Sequence, residues 1–310
     1  MIIDLLGRVA RYGRLCLVLG LLAGLILPGV AAVMRPWIPE LVSLLLFFTA
    51  FRVGYRDATG VDLSKAFGQV LILQLALPVG AVLMLIGLDL GLGPLAMAVV
   101  LVLAAPSVTG APNFTILVGG DPARALRVLV LGTALLPVTA LPVFWLLPQI
   151  GDLQDVLWAA GRLTLVVLSA VALGFAVRQL AAPDLGDRGR AGLDGLTSIV
   201  LAVIVVALMS AIGPAFSESP LGLFWWLCVA FAVNFGMQVA YFTLLTVLGQ
   251  DRNAIPMGIV AGNRNVALFL VALPPETTEP LLIFIGCYQI PMYLTPILLR
   301  RFYARALCSD

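Results

Sequence analysis

Residues 109–118 read TGAPNFTILV, and residues 261–270 read AGNRNVALFL. Aligned without gaps, both run small-Gly-x-x-Asn and continue apolar, so Gly110 pairs with Gly262 and Asn113 with Asn265. Each lies inside a long apolar stretch, and the second carries Arg264 at its middle. An arginine at the centre of a membrane-spanning helix costs roughly 2.5–3.5 kcal/mol on insertion scales, so a chain that keeps one there either uses it or neutralises it. How the two segments relate decides the architecture.

The chain has 310 residues, 62% hydrophobic and 11% charged, against about 45–50% apolar and 25% charged in soluble domains. That composition predicts an all-α integral membrane protein. At about 20 residues per crossing, the apolar runs give ten spans: 15–34, 37–54, 66–87, 93–119, 125–147, 157–178, 195–213, 222–248, 254–273 and 279–299. The first two are separated by MRPWIPE, where Arg35, Pro36 and Pro39 supply the break. With the N-terminus taken as cytoplasmic, all but three of the 18 Lys and Arg residues fall in cytoplasmic segments, the exceptions being Arg35, Arg162 and Arg264. This asymmetry puts both termini in the cytoplasm and requires an even number of spans. With no histidine and four cysteines that share no ligand spacing, neither imidazole chemistry nor a metal centre is expected.

The TGAPN and AGNRN segments are then the fourth and ninth spans, each the fourth of five in its half. Five is odd, so the halves 1–150 and 151–310 enter the membrane from opposite sides, giving two inverted five-helix repeats of the kind typical of secondary transporters. Both segments carry helix breakers: Pro106, Gly110 and Pro112 in one, Pro256, Gly258 and Gly262 in the other. Broken backbone at membrane depth belongs where it lines a cavity or is packed in protein. Discontinuous crossing helices 4 and 9 would gather Ser107, Thr109, Asn113, Thr115, Asn263, Arg264 and Asn265 around one point. The alternative is a pair of proline kinks whose amides join helices.

At these residues the chain resembles the bile acid:sodium symporter family, in its ten-helix bacterial type. The resemblance rests on QVLILQLALPV (69–79), with Gln74 four residues before Pro78, on APSVTGAPNFTILVGGDPARA (105–125), and on GIVAGNRNVAL (258–268). It implies a core domain of spans 3–5 and 8–10 that moves against a panel domain of spans 1–2 and 6–7. It also implies an organic anion carried together with sodium across the cytoplasmic membrane of a bacterium. By resemblance, Gln74, Asn113 and Asn265 line the ion and substrate region; with the residues gathered at the crossing, the expected substrate-binding set is Arg264, Asn113, Asn265, Asn263, Thr109 and Thr115, and the expected ion-binding set Gln74, Ser107, Asn113 and Asn265.

The chain also departs from that pattern. Val260 stands where the family carries an acidic sodium ligand, Arg264 where it carries Gln, and Ala125 and Leu129 where hydroxyl ligands are expected. Hard cations want several oxygen ligands, usually including carboxylate, and no Asp or Glu lies deep in a span. Arg264 therefore has three readings: a fixed cation in the place of sodium, a bidentate anchor for an anionic substrate, or a side chain that snorkels to the surface or pairs with backbone.

An arsenite-type efflux permease would need a cysteine at Ser107, and an intramembrane enzyme would need paired acids or a nucleophile with its base. Neither pattern is present, so the expectation is a carrier, not an enzyme. Its partners are a small organic anion and the lipid bilayer, with no nucleic acid and no cofactor other than sodium as a coupling ion. The substrate, the direction of transport and the oligomeric state are not legible.

Overall fold

The computed structural model describes residues 2–58 and 63–307. Cys308 lies outside them, as do the side chains of Arg14, Arg56 and Arg305, which contribute to the charge pattern above. Among the described residues every extended element is helical, and the one strand-like pairing is an isolated antiparallel bridge between Ser107 and Arg264.

Along the chain run α1 (Ile2–Arg11), α2 (Gly13–Ile26), α3 (Pro28–Met34), α4 (Ile38–Ala58), α5 (Leu63–Leu71), a π-helical turn (Ile72–Ala76), α6 (Leu77–Gly87), α7 (Pro94–Ala104), α8 (Ala111–Leu117) and α9 (Pro122–Trp145). There follow α10 (Leu153–Ala181), α11 (Asp187–Leu208), α12 (Ile212–Glu218), α13 (Pro220–Val247), α14 (Asp251–Gly262), α15 (Phe269–Ala272), α16 (Pro275–Thr278), α17 (Leu282–Leu298) and α18 (Arg300–Leu307). Among the described residues seven stretches are long and apolar enough to cross a membrane: Pro28–Gly54, Ser64–Gly87, Pro122–Trp145, Leu153–Ala181, Asp187–Glu218, Pro220–Val247 and Pro275–Leu298; α1 and α2 make an eighth if the bent pair is one span. The protein is a multi-pass, all-α membrane protein. Apolar side chains that are largely exposed, such as Val138, Leu165 and Leu180, are what a lipid-facing surface requires.

The remaining expected spans, 93–119 and 254–273, fall short of that length because each is cut. α7 stops at Ala104 and α8 begins at Ala111; α14 stops at Gly262, and the chain resumes helical form at Val266. The first break departs from expectation in position. The chain passes Arg35–Trp37 in a single 3₁₀ turn with Arg35 still helical (φ −54°, ψ −46°), whereas Leu27 leaves the helix (φ −116°, ψ 65°). Both residues precede a proline, whose ring disfavours the helical region for its predecessor. At Arg35 the tighter turn absorbs the conflict; at Leu27 the helix yields.

Two compact units are evident. The first comprises Met1–Gly60, Gly161–Leu223 and Ala267–Gly286. Its packing depends on glycine: a methyl at Gly20 would lie 2.8 Å from the carbonyl oxygen of Ala202, and one at Gly195 would overlap that of Leu6 outright. Glycine lets α1 and α2 lie backbone to backbone on α11, the small-residue packing on which membrane helices rely. Arg52 and Asp194 form a two-pronged ion pair, one arm at 3.1 Å, and Arg35 bonds Glu279 at 2.7 Å.

The second unit comprises Val61–Ala160, Phe224–Val266 and Cys287–Asp310. Val70, Leu73, Val108, Ala111, Val128, Ile259, Val260 and Tyr303 belong to one buried cluster at its centre. Both helix breaks fall against this core.

Candidate functional site

The two broken segments meet through their backbones. Val108 N–H donates to the Asn263 carbonyl and Asn265 N–H to the Pro106 carbonyl, both at 2.8 Å. Between these two bonds Ser107 and Arg264 form the bridge. A helical break leaves amides and carbonyls without partners, and in an apolar interior each such group costs on the order of 1–3 kcal/mol. Pairing one break against the other satisfies several at once.

Carbonyls remain, and Arg264 takes them. Its Nε donates to Ala261 O at 2.8 Å, Nη1 to Ala105 O at 2.9 Å and Nη2 to Leu73 O at 3.3 Å. Each acceptor is free for a local reason. In a continuous helix Ala261 would receive the N–H of Asn265, but that donor has gone to Pro106. Ala105 caps the end of α7, where the chain turns extended (ψ 149°). Leu73 lies in the π-helical turn: Leu77 N–H bonds Ile72 rather than Leu73, and the next residue, Pro78, has no N–H to offer. Two of the three carbonyls therefore belong to the C-terminal ends of half-helices, where the helix dipole favours a cation. Arg264 is 1% exposed, which rules out snorkelling.

A second ring of groups holds the end of α14. The Asn234 amide donates to Gly262 O at 2.6 Å, and Tyr288 donates its hydroxyl to the same oxygen. Gln238 Nε2 donates to Asn234 Oδ1 at 2.7 Å and to Thr295 Oγ1 at 2.9 Å; Thr295 donates to Asn263 Oδ1 at 3.1 Å. Tyr303 completes the ring by donating to Gln238 Oε1 at 3.1 Å. Burial pushes the Tyr303 phenol up from its ordinary pKa, so it is a donor throughout the physiological range. A methyl on Gly262 would overlap Asn234 O and Gln238 Cγ, so the close approach requires glycine.

The residues singled out from sequence divide into two groups. Gln74, Ser107, Thr115, Asn263 and Arg264 are buried. Ser107 Oγ donates weakly to Asn263 O at 3.4 Å, Thr115 Oγ1 bonds its own helix at Ala111 O, and Asn263 Nδ2 bonds Ile259 O. Gln74 packs beside Gly132, with the Thr139 hydroxyl at 3.5 Å. Asn113, by contrast, is exposed, and Thr109 and Asn265 are half-buried. Among the described residues their side chains have no hydrogen-bond partner. The bridge thus joins the segments but does not turn all their polar residues to one point.

Ala125, Leu129 and Val260, at positions where oxygen ligands are expected by resemblance, are apolar and buried, and the carbonyls at the helix ends already receive the guanidinium. Sequence reasoning missed Thr295, Tyr303 and the Leu73 carbonyl. Only the last had a signal, the proline five residues on at Pro78, which leaves a carbonyl unpaired whenever the turn widens.

Fold and site together define a multi-pass helical membrane protein with an antiparallel crossover of two broken helices, pinned by a buried arginine. No protein-family model matches the chain, and no curated protein matches it.

Proposed function

We propose that the chain is a secondary transporter of a small organic anion, working by alternating access in the cytoplasmic membrane, with Arg264 as a fixed cation in the place of a coupling sodium ion. The observation that carries this reading is the guanidinium bound to three main-chain carbonyls from three segments, two of them half-helix ends. Broken helices meeting at membrane depth are the architecture in which transporters build their sites. A charge fixed there performs electrostatically what a bound ion would, so the carrier needs no sodium gradient.

On this reading the ten expected spans form two inverted five-helix repeats of the bile acid:sodium symporter type. The second compact unit would contain the core and the first the panel. Asn113 and Asn265, related by the proposed repeat, accessible and without hydrogen-bond partners among the described residues, would meet the substrate carboxylate; Thr109 would assist. Arg264 would support them from behind rather than touch substrate. Both termini would lie in the cytoplasm, following the positive charge. An arsenite carrier is disfavoured by the hard, buried hydroxyl of Ser107.

The test is uptake by purified protein in liposomes, offered a panel of small carboxylates with an inward sodium or choline gradient. Uptake of at least one carboxylate, equal under the two cations, is expected. Uptake that requires sodium would overturn the fixed-cation role, and no uptake under either condition would overturn the carrier reading.

A further inference from the structure

A cavity of about 410 Å³ opens in the second unit where α5, α9 and α14 begin, lined by Lys65, Gln69, Arg124, Arg127, Gln250 and Asn253 among others. Among the described residues that line it, three are cationic and none carries a carboxylate. Arg124 is held in place: its Nε bonds Asp121 Oδ2 at 3.1 Å and its Nη1 bonds Asn253 Oδ1. Asp121 is itself engaged, since its other oxygen accepts the Ala123 N–H as the cap of α9. Lys65 and Arg127 have no acidic partner among the described residues.

The neutral groups point the same way. Gln69 Oε1 accepts the Tyr241 hydroxyl and Gln250 Oε1 accepts from Asn253 Nδ2 at 3.4 Å. With both carbonyl oxygens occupied, each glutamine has its NH₂ group left to offer. The cavity is therefore lined by donors: an ammonium, two guanidinium groups and two amide NH₂ groups. It sits at the positive ends of helix dipoles, since α9 and α14 both start there. A carboxylate monoanion would leave most of these donors unmatched; a tetrahedral, multiply charged oxyanion has the number of acceptor oxygens they demand.

We infer that this cavity binds a phosphate group, carried either by a soluble molecule or by a lipid headgroup. The site is distinct from the crossover, and its occupancy does not depend on the transport reading. Lys65 and Arg127 supply charges without an acidic partner among the described residues, and Arg124, held by Asp121 and Asn253, sets the orientation.

The experiment compares purified full-length protein with the double variant Lys65→Gln/Arg127→Gln in two arms. One titrates inorganic phosphate against chloride at matched ionic strength by calorimetry. The other places the protein in nanodiscs of phosphatidylcholine with or without phosphatidic acid, whose phosphomonoester carries more than one charge, and counts retained lipids by native mass spectrometry. The wild type is expected to bind in at least one arm, with the double variant weaker by about tenfold or more and Lys65→Arg retaining binding. A response to inorganic phosphate identifies a soluble ligand, and a response in the lipid arm alone identifies a headgroup. Melting temperature in phosphate-free detergent separates lost binding from lost fold; if the double variant does not fold, Lys65→Gln is held to the same expectation. Absence of binding by the wild type in both arms, or binding that the variant leaves unchanged, overturns the inference. Neither arm measures transport, so the failure of one reading leaves the other standing.

Discussion

The second unit holds cationic side chains in two settings that are built in opposite ways. Arg264 is enclosed, and its donors go to carbonyls of its own chain that a break, a cap and a π-helical turn have released. Lys65 and Arg127 face open volume, with no carboxylate among the described lining residues and with neighbouring amides turned donor-first. The difference teaches what a buried or semi-buried cation is for. Where the backbone already supplies every acceptor, the charge is structural; where the lining offers cations and amide donors but no carboxylate, an anion from outside can match them.

The contrast breaks most readily at Arg264. Arg264→Ala would leave three carbonyls in an apolar interior without donors, an expected loss of about 3 kcal/mol or more of stability, read as a large fall in melting temperature in detergent. Arg264→Lys keeps the charge but cannot span three acceptors in different directions, so its loss should be intermediate. If Arg264→Ala melts like the wild type yet no longer takes up anion, the side chain is a substrate anchor and the structural reading is wrong.

Gly262→Ala tests the same point through packing alone. The added methyl overlaps Asn234 O and Gln238 Cγ, and overpacking of this kind costs about 1–3 kcal/mol. Because Asn234 and Gln238 hold the end of α14, a fall in melting temperature should be joined by loss of anion uptake. An unchanged protein would mean that the α13–α14 approach is looser than the structure has it.

A finer test sits on the acceptor side. Pro78→Ala restores an N–H where none exists, so the turn at Ile72–Ala76 can tighten and Leu73 O can be claimed by its own helix. Arg264 would then lose its weakest bond, the one at 3.3 Å, with a net change of about 1 kcal/mol. Hydrogen exchange at the Leu77 amide would follow it: protection should rise as the α-helical pattern replaces the π-helical one, and the amide introduced at position 78 should itself be protected.

These positions also mark how far sequence reasoning reaches. The breaks were legible because proline and glycine act locally: Pro106, Gly110 and Pro112 stop α7 and open α8 by chain geometry alone, and GNRN stands out wherever it is placed. That the two breaks belong together was legible, since Gly110–Asn113 and Gly262–Asn265 match without a gap. The acceptors of Arg264 were not, because a carbonyl carries no signature in its residue type; Leu73 is available only through the hydrogen-bond pattern of the residues after it. Thr295 and Tyr303 were illegible for another reason. They reach the crossover from the last two helices, and nothing within those helices distinguishes them from an ordinary back-bonded threonine or an interfacial tyrosine. Leu27 against Arg35 shows the limit for helix breaks: both precede proline, and the surroundings decide which one bends.

The smallest effect on stability is expected where the polar groups are accessible, at Asn113 and Asn265. Neither side chain has a partner to lose among the described residues, so Asn113→Ala and Asn265→Ala should each melt within about 0.5 kcal/mol of the wild type. Under the proposed function their effect should appear in uptake: removing an amide that meets a carboxylate only when substrate is bound should weaken apparent affinity by about tenfold and leave the folded protein intact. The double variant sharpens the expectation, because if both amides hold one anion it should lose less than the product of the two single losses. Should both variants transport normally, the free asparagines are incidental and the anion site lies elsewhere.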